Sequence, residues 1–284
     1  MTYSIATVAF LNSLPLVEWF GPGAPGSDRA DLSSDLPSRL PRRLADGSAD
    51  VALVPAVEIL RGCSAGVLGG TGIACLGPVD SVKLFHRGPV AGLRRVAVDR
   101  GSRTSVALLT VLLAEAHGID PAMNEVEPVT GTVPGVGEAV LVIGDRCFAY
   151  DRWRREEGAS AGVEALDLGQ AWLDMTGLPF VFAAWAAAPG FPGRAGAAGV
   201  RELGDLLVTA REYGLARLPE LAAREAARGS LGPGGEATPA ALEYYFSHSL
   251  RYRLGEDELA GLRHFRDLCV KHGLVAPTGG PILL

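Results

Sequence analysis

Polar side chains recur in this 284-residue chain where apolar runs stop. The first run, over residues 5–11, ends on Asn12 and Ser13, with Pro15 close behind. A later run meets Gly77 and Pro78, then Asp80 and Ser81, before the next apolar stretch begins. "VAVD" is followed by Ser102, Arg103, Thr104 and Ser105, where the long run "SVALLTVLLAEAHG" starts. "AVLVI" leads into Gly144 and Asp145. An asparagine offers two donors and an acceptor, and a serine or threonine offers a rotatable hydroxyl. At the start of a helix such groups join free backbone N–H groups and the positive end of the dipole, which stabilises a carboxylate by about 0.3–1 kcal/mol. Together they suit a polar, anionic, oxygen-rich small molecule held by hydrogen bonds. Taken singly, each also reads as a helix cap: Asn12 or Ser13 for the helix that Pro15 opens, Ser102 or Thr104 for the long helix, Asp145 for the one that follows it.

The common reaction centres are missing. There is no GxSxG elbow, no P-loop, and no GxGxxG after the first strand. Cys63, Cys75, Cys147 and Cys269 are scattered, so reduced thiols are expected. The five histidines lack paired spacing, and no metal site is expected. A net charge of −6 argues against a general nucleic-acid binder. No apolar run reaches the roughly 18 residues of a membrane span. The start, "MTYS", lacks a basic region followed by an apolar stretch, so no secretory leader and a cytoplasmic location are expected.

These residues need strands and helices to bring them together. "DVALVP" is a continuous apolar run of the kind found in a strand covered on both faces, and "AVEILRG" after it is helical. "TGIACLG", "SVKLFHR", "RRVAVD", "AVLVIGD", "VEALDLG" and "FVFAAWAAA" read as further strands, and the run from Ser105 reads as the clearest helix, stopped by Gly118. Strand alternating with helix is the pattern of an α/β fold. Beyond "APGFPGRAG" the pattern is helical, with Thr238 and Pro239 opening one helix and Leu242, Tyr245 and Phe246 on its apolar face. Gly/Pro breaks near residues 88 and 189 suggest that the chain crosses to a second lobe and returns. The expected division is residues 1–88 with 188–284 as the larger lobe and 89–187 as the smaller, with a ligand cleft between them. In open α/β sheets ligands bind beyond the carboxyl ends of strands, where these polar groups fall.

The stretches "FLNSLPL", "DVALVPAVEIL", "GPVDSVKLF", "SRTSVALL", "VIGD" and "GLPFVFAAW" occur in this order, and together they resemble the chorismate dehydratase family of the futalosine route to menaquinone. The likeness runs from residue 5 to about residue 187 and more loosely through the tail. It implies a two-lobed α/β fold like that of type 2 periplasmic binding proteins. It also implies loss of water from chorismate to give 3-[(1-carboxyvinyl)oxy]benzoate, with no metal, nucleotide or flavin cofactor; the charge and the short apolar runs already point to no nucleic-acid and no membrane partner. The resemblance gives Asn12 and Ser81 active-site roles. Ser102, Thr104 and Ser105 would take a carboxylate, and Ser13, Arg103, Gly144 and Asp145 complete the expected substrate contacts. The base is either the enolpyruvyl carboxylate of the substrate or a protein carboxylate, Asp145 ahead of Asp80 and Asp99. Arg146, Cys147 and His86 depart from the family pattern; Arg146 is read as a surface residue and His86 as structural. A solute-binding protein and the related naphthoate synthase are the alternatives, although the S-P-C-P-N-D motif of the latter is absent.

Overall fold

The computed structural model describes residues 2–99, 101–127, 129–132, 134–231, 237–278 and 282–284. Alanine, valine and leucine without polar interruption make strands that can be covered on both sides, and such strands form the middle of a first sheet. Its early members are β1 (Tyr3–Thr7), β2 (Ala30–Ser34), β3 (Val51–Pro55) and β4 (Gly66–Cys75). A 3-10 turn (Leu11–Ser13) and helix α1 (Leu14–Val17) follow β1, α2 (Leu40–Ala45) follows β2, and α3 (Ala56–Leu60) follows β3. Every residue of β3 is buried. A second sheet is built from β5 (Val82–Arg87), β6 (Arg95–Asp99), β7 (Ala122–Val126), β8 (Glu138–Ile143) and β9 (Val163–Asp167). Helix α4 (Arg103–His117) follows β6, α5 (Arg146–Glu156) follows β8, and α6 (Leu168–Thr176) follows β9. The chain then returns through β10 (Phe180–Ala187) into α7 (Phe191–Leu215), α8 (Leu218–Arg228), α9 (Pro239–Tyr244), β11 (Arg251–Arg253) and α10 (Glu256–Lys271).

The first sheet runs β11-β4-β10-β3-β1-β2 and the second β7-β6-β8-β5-β9. In each, three neighbouring strands are parallel, and the strand that has just entered from the other lobe, β10 or β5, lies antiparallel between its neighbours. Sheet membership corrects the expected lobe boundaries. β5 was expected in the larger lobe but belongs to the second sheet, and β10 was expected in the smaller lobe but belongs to the first. The crossings therefore fall at residues 76–81 and at the end of α6, which packs against both β5 and β10. Gly88, at φ 81°, and Pro89 turn the chain between β5 and β6 within one lobe. A Gly/Pro breaker reports a local reversal, whereas the sheet that a strand joins is decided by distant partners.

The second expected break is largely helical. Pro192 occupies the first turn of α7, where its fixed φ and missing N–H are harmless, and only Gly196 (φ 65°, ψ 175°) departs from helical geometry. Thr238 caps α9 as expected, its hydroxyl oxygen accepting from Ala241 N–H at 3.1 Å. α9 passes directly into a π turn, Tyr245–Ser249. Among the described residues no helix is long and apolar enough to cross a membrane.

Candidate active site between the lobes

Three residues at helix N-cap positions do not cap. The side chains of Ser13 before α1, Ser102 before α4 and Asp145 before α5 make no capping hydrogen bond. Asp167, at the same position of α6, does cap, accepting from Gly169 and Gln170 N–H. Residues favoured at caps are thus used for something else wherever a strand end faces the gap between the lobes.

That gap holds a cavity between the lobes, the kind of place where small-molecule sites form. The larger lobe contributes Phe10, Asn12, Leu53, Ile73 and Phe182, the crossing segment contributes Val79 and Ser81, and the smaller lobe contributes Ser102, Arg103, Thr104, Ser105 and Gly144. The predicted Asn12, Ser81, Ser102, Arg103, Thr104, Ser105 and Gly144 therefore converge, on one apolar floor. Asn12 Oδ1 and Ser102 Oγ are buried without a hydrogen-bond partner. A buried polar atom left unpaired costs about 1–3 kcal/mol, and nearly all such atoms in folded proteins find a partner. Two of them in one cavity, one per lobe, mark where a ligand's polar atoms belong. Among the described lining residues none is a carboxylate or a histidine, and Arg103 is the one cation.

Other contacts bind the lobes around this space. Thr104 Oγ1 accepts from Val57 N–H at 3.3 Å, across from α3 to α4. The φ of Gly144 is 65°, and a Cβ there would lie 3.1 Å from the ring of Phe10. Its N–H donates to the carbonyl of Ser81 at 2.8 Å. Glu115 on α4 pairs with Lys271, the last residue of α10, and with His272 just after it, a further link between the lobes.

Two predicted site residues stand outside the cavity. Ser13 is buried beneath it, and its hydroxyl reaches the carbonyls of Val8 and Phe10, both at 2.8 Å. It shapes the turn that presents Asn12. Asp145 lines a neighbouring opening with Asp99, Glu127 and Arg146. Its carboxylate accepts from Leu11 N–H at 3.2 and 3.4 Å and so ties the start of α5 to the turn that carries Asn12. Burial pushes the Asp145 carboxyl up to about 6, the Leu11 bond opposes that shift, and Glu225 adds to it. The other two acids considered as bases are also engaged. Asp99 accepts from Gly101 N–H at 2.9 Å, and Asp80 accepts from Ser249 at 2.7 Å and from Lys83 at 3.3 Å. Arg146 is exposed and paired with Glu127, and the buried His86 lies 2.9 Å from the Gly88 carbonyl, as the sequence suggested. The four cysteines are free, and among the described residues no cluster of three metal-ligating side chains occurs.

The crossing segment that presents Ser81 is held unusually firmly. Asp167 accepts from Val79 N–H at 3.0 Å and Asp80 N–H at 2.9 Å in addition to capping α6. Asp80 adopts φ 63°, uncommon for a residue with a side chain. Sequence reasoning missed Tyr245, whose hydroxyl donates to Ser81 Oγ at 2.8 Å. It was read only as part of an apolar helix face, and its ring does serve that purpose, lying edge-on to Phe148 of α5.

A family model described as menaquinone biosynthesis matches residues 3–271. A Thermus thermophilus protein named chorismate dehydratase is 37% identical over 242 residues, 82% of this chain and 84% of that protein. Among solved structures, a Candida albicans protein described as having the generic periplasmic binding protein fold superposes with a TM-score of 0.63 at 11% identity, covering 98% of this chain and 92% of that one. The periplasmic aliphatic sulphonate binding protein of Escherichia coli gives 0.55 at 16% identity, covering 98% and 89%. At these identities the likeness concerns the fold.

Proposed function

Because the chain belongs to the menaquinone biosynthesis family, we propose that it is a chorismate dehydratase, a lyase that removes water from chorismate to give 3-[(1-carboxyvinyl)oxy]benzoate. The observation that carries this reading is the pair of unpartnered buried oxygens, Asn12 Oδ1 and Ser102 Oγ, on residues that line one cavity from opposite lobes. The 37% identical relative is named for the same reaction.

The reaction breaks a ring C–H bond, whose electron pair forms a new ring double bond, and a C–O bond, whose pair leaves with the hydroxyl. The hydroxyl departs as water when it collects the abstracted proton, and the ring becomes aromatic. The protein's task is to hold a dianion so that proton and hydroxyl leave together. Fixing reacting groups in this way is worth several kcal/mol. Ser102, Thr104 and Ser105, with the first-turn N–H groups of α4, take one carboxylate, assisted by Arg103. Asn12 and Ser81 address the ring and the enolpyruvyl arm. The bonds already made by Asp80, Asp99 and Asp145 support the substrate's own enolpyruvyl carboxylate as the base.

The test is proton NMR of chorismate mixed with purified protein and no added cofactor. New aromatic signals together with loss of the ring diene signals are expected. An unchanged spectrum refutes the dehydratase reading; if chorismate line-broadening accompanies it, the protein is a binder, the alternative that the solute-binding neighbours favour.

A further inference from the structure

We propose that Tyr245 is a positioning residue that fixes Ser81 as a hydrogen-bond donor toward the substrate; this rests on the dehydratase reading of the cleft. Tyr245 and Ser81 are buried, at 2% and 1% exposure, with their oxygens 2.8 Å apart. Tyr245 has no other hydrogen-bond acceptor among the described residues, so its proton goes to Ser81 Oγ; an unsatisfied buried hydroxyl would be costly. Burial pushes the phenol far above its ordinary range, so it stays a donor throughout the working pH range. The proton of Ser81 then has one acceptor among the described residues, the Val79 carbonyl at 3.5 Å, at the limit of hydrogen bonding. It is free to point into the cavity. A serine so placed donates to an oxygen of the substrate, such as the departing hydroxyl, and does not accept a proton from it.

The π turn explains how a tail residue does this. Tyr245 opens the turn and Ser249 closes it. Ser249 donates to Asp80 while Tyr245 donates to Ser81, so one turn grips two successive residues of the crossing segment. Turns with the i→i+5 pattern are rare and concentrate at functional sites.

Tyr245→Phe keeps the ring against Phe148 and removes the hydroxyl. Its kcat on chorismate is expected to fall about 10- to 100-fold, less than for outright removal of a transition-state donor because Tyr245 acts through Ser81, with KM changed less than about threefold. Ser81→Ala is expected to lose at least as much, and the double variant about the same as Ser81→Ala alone, because Tyr245 acts through Ser81. A Tyr245→Phe kcat within about twofold of the parent, or multiplicative losses in the double variant, overturns the proposal. Crystal structures of the ligand-free parent and Tyr245→Phe proteins give a readout independent of chorismate. The Ser81 hydroxyl is expected to change rotamer in the variant once Tyr245 no longer holds it, and an unchanged rotamer overturns the proposal. If the parent leaves chorismate untouched, the dehydratase reading fails while the rotamer comparison still decides the role of Tyr245.

Discussion

Asp145→Asn isolates a charge that the fold holds at a loss. Burial raises this carboxyl from 3.8 to about 6 despite the Leu11 N–H bond. For an acid the sign follows directly. Below about pH 4 the carboxyl is protonated in both folded and unfolded chains and contributes nothing. Between about 4 and 6 the folded protein holds the proton that the unfolded chain has released, so stability falls as pH rises. Above about 6 the loss is complete, at up to about 3 kcal/mol. The asparagine variant keeps an oxygen for Leu11 N–H and does not titrate. It should melt with the parent at pH 4 and above it at pH 8, by up to about 5 °C for a chain of this size. Differential scanning calorimetry of both proteins across pH 4–8 measures the gap, and other titrating groups cancel in the difference. A gap that does not change with pH refutes the argument. Turnover adds a second arm: because Asp145 lies beside the cavity, the variant should keep kcat within about threefold. Abolished turnover with intact substrate binding would make Asp145 the base.

Ser102→Ala should raise the KM for chorismate about 10-fold or more, the worth of a hydrogen bond to a charged group, with thermal stability unchanged or higher because an unpaired buried hydroxyl disappears; steady-state kinetics and a melting curve read both, and a lower melting temperature at constant KM contradicts the assignment. Ser13→Ala should do the reverse, lowering stability by about 1–2 kcal/mol in urea titrations through its lost bonds to Val8 and Phe10 while KM moves only a few-fold.

The parts of this molecule that were legible in the sequence are those decided locally. The buried run of β3, the long helix α4 and the polar strand ends announce themselves in a few consecutive residues. The lobe boundaries did not, because β5 and β10 have the composition of any covered strand and only their distant partners tell which sheet they join. β7 escaped notice because it is an exposed edge strand whose residues are mostly polar or solvent-facing. Within the site, Asn12, Ser13, Ser102 and Asp145 give the same local signal, that of a cap. Their fates diverge through contacts that a single strand end does not encode: Ser13 turns back to Val8, Asp145 reaches Leu11 across the cleft, and Asn12 and Ser102 are left open. Tyr245 was hidden for a related reason. A phenol ring satisfies the helical apolar pattern, while its hydroxyl meets a residue 164 positions earlier.

The distribution of acids follows from the charge of the proposed guest. A protein carboxylate about 4 Å from a substrate carboxylate repels it by about 4 kcal/mol in a partly shielded site, close to a thousandfold in affinity. A cavity meant for a dianion therefore has to keep its nearby acids turned away. Asp80, Asp99 and Asp145 lie near this one, and each is tied to backbone N–H, hydroxyl or ammonium groups of the protein. In those positions the acids hold the loops that present Asn12, Ser81 and Ser102, and the cavity is left with neutral hydrogen-bonding groups and one arginine. Aromatisation supplies the driving force from within the substrate, so a site that binds and orients suffices, provided the base arrives with the guest. A binding-protein cleft needs little alteration to become such an enzyme: it has to close on one conformer and offer a donor where the hydroxyl departs.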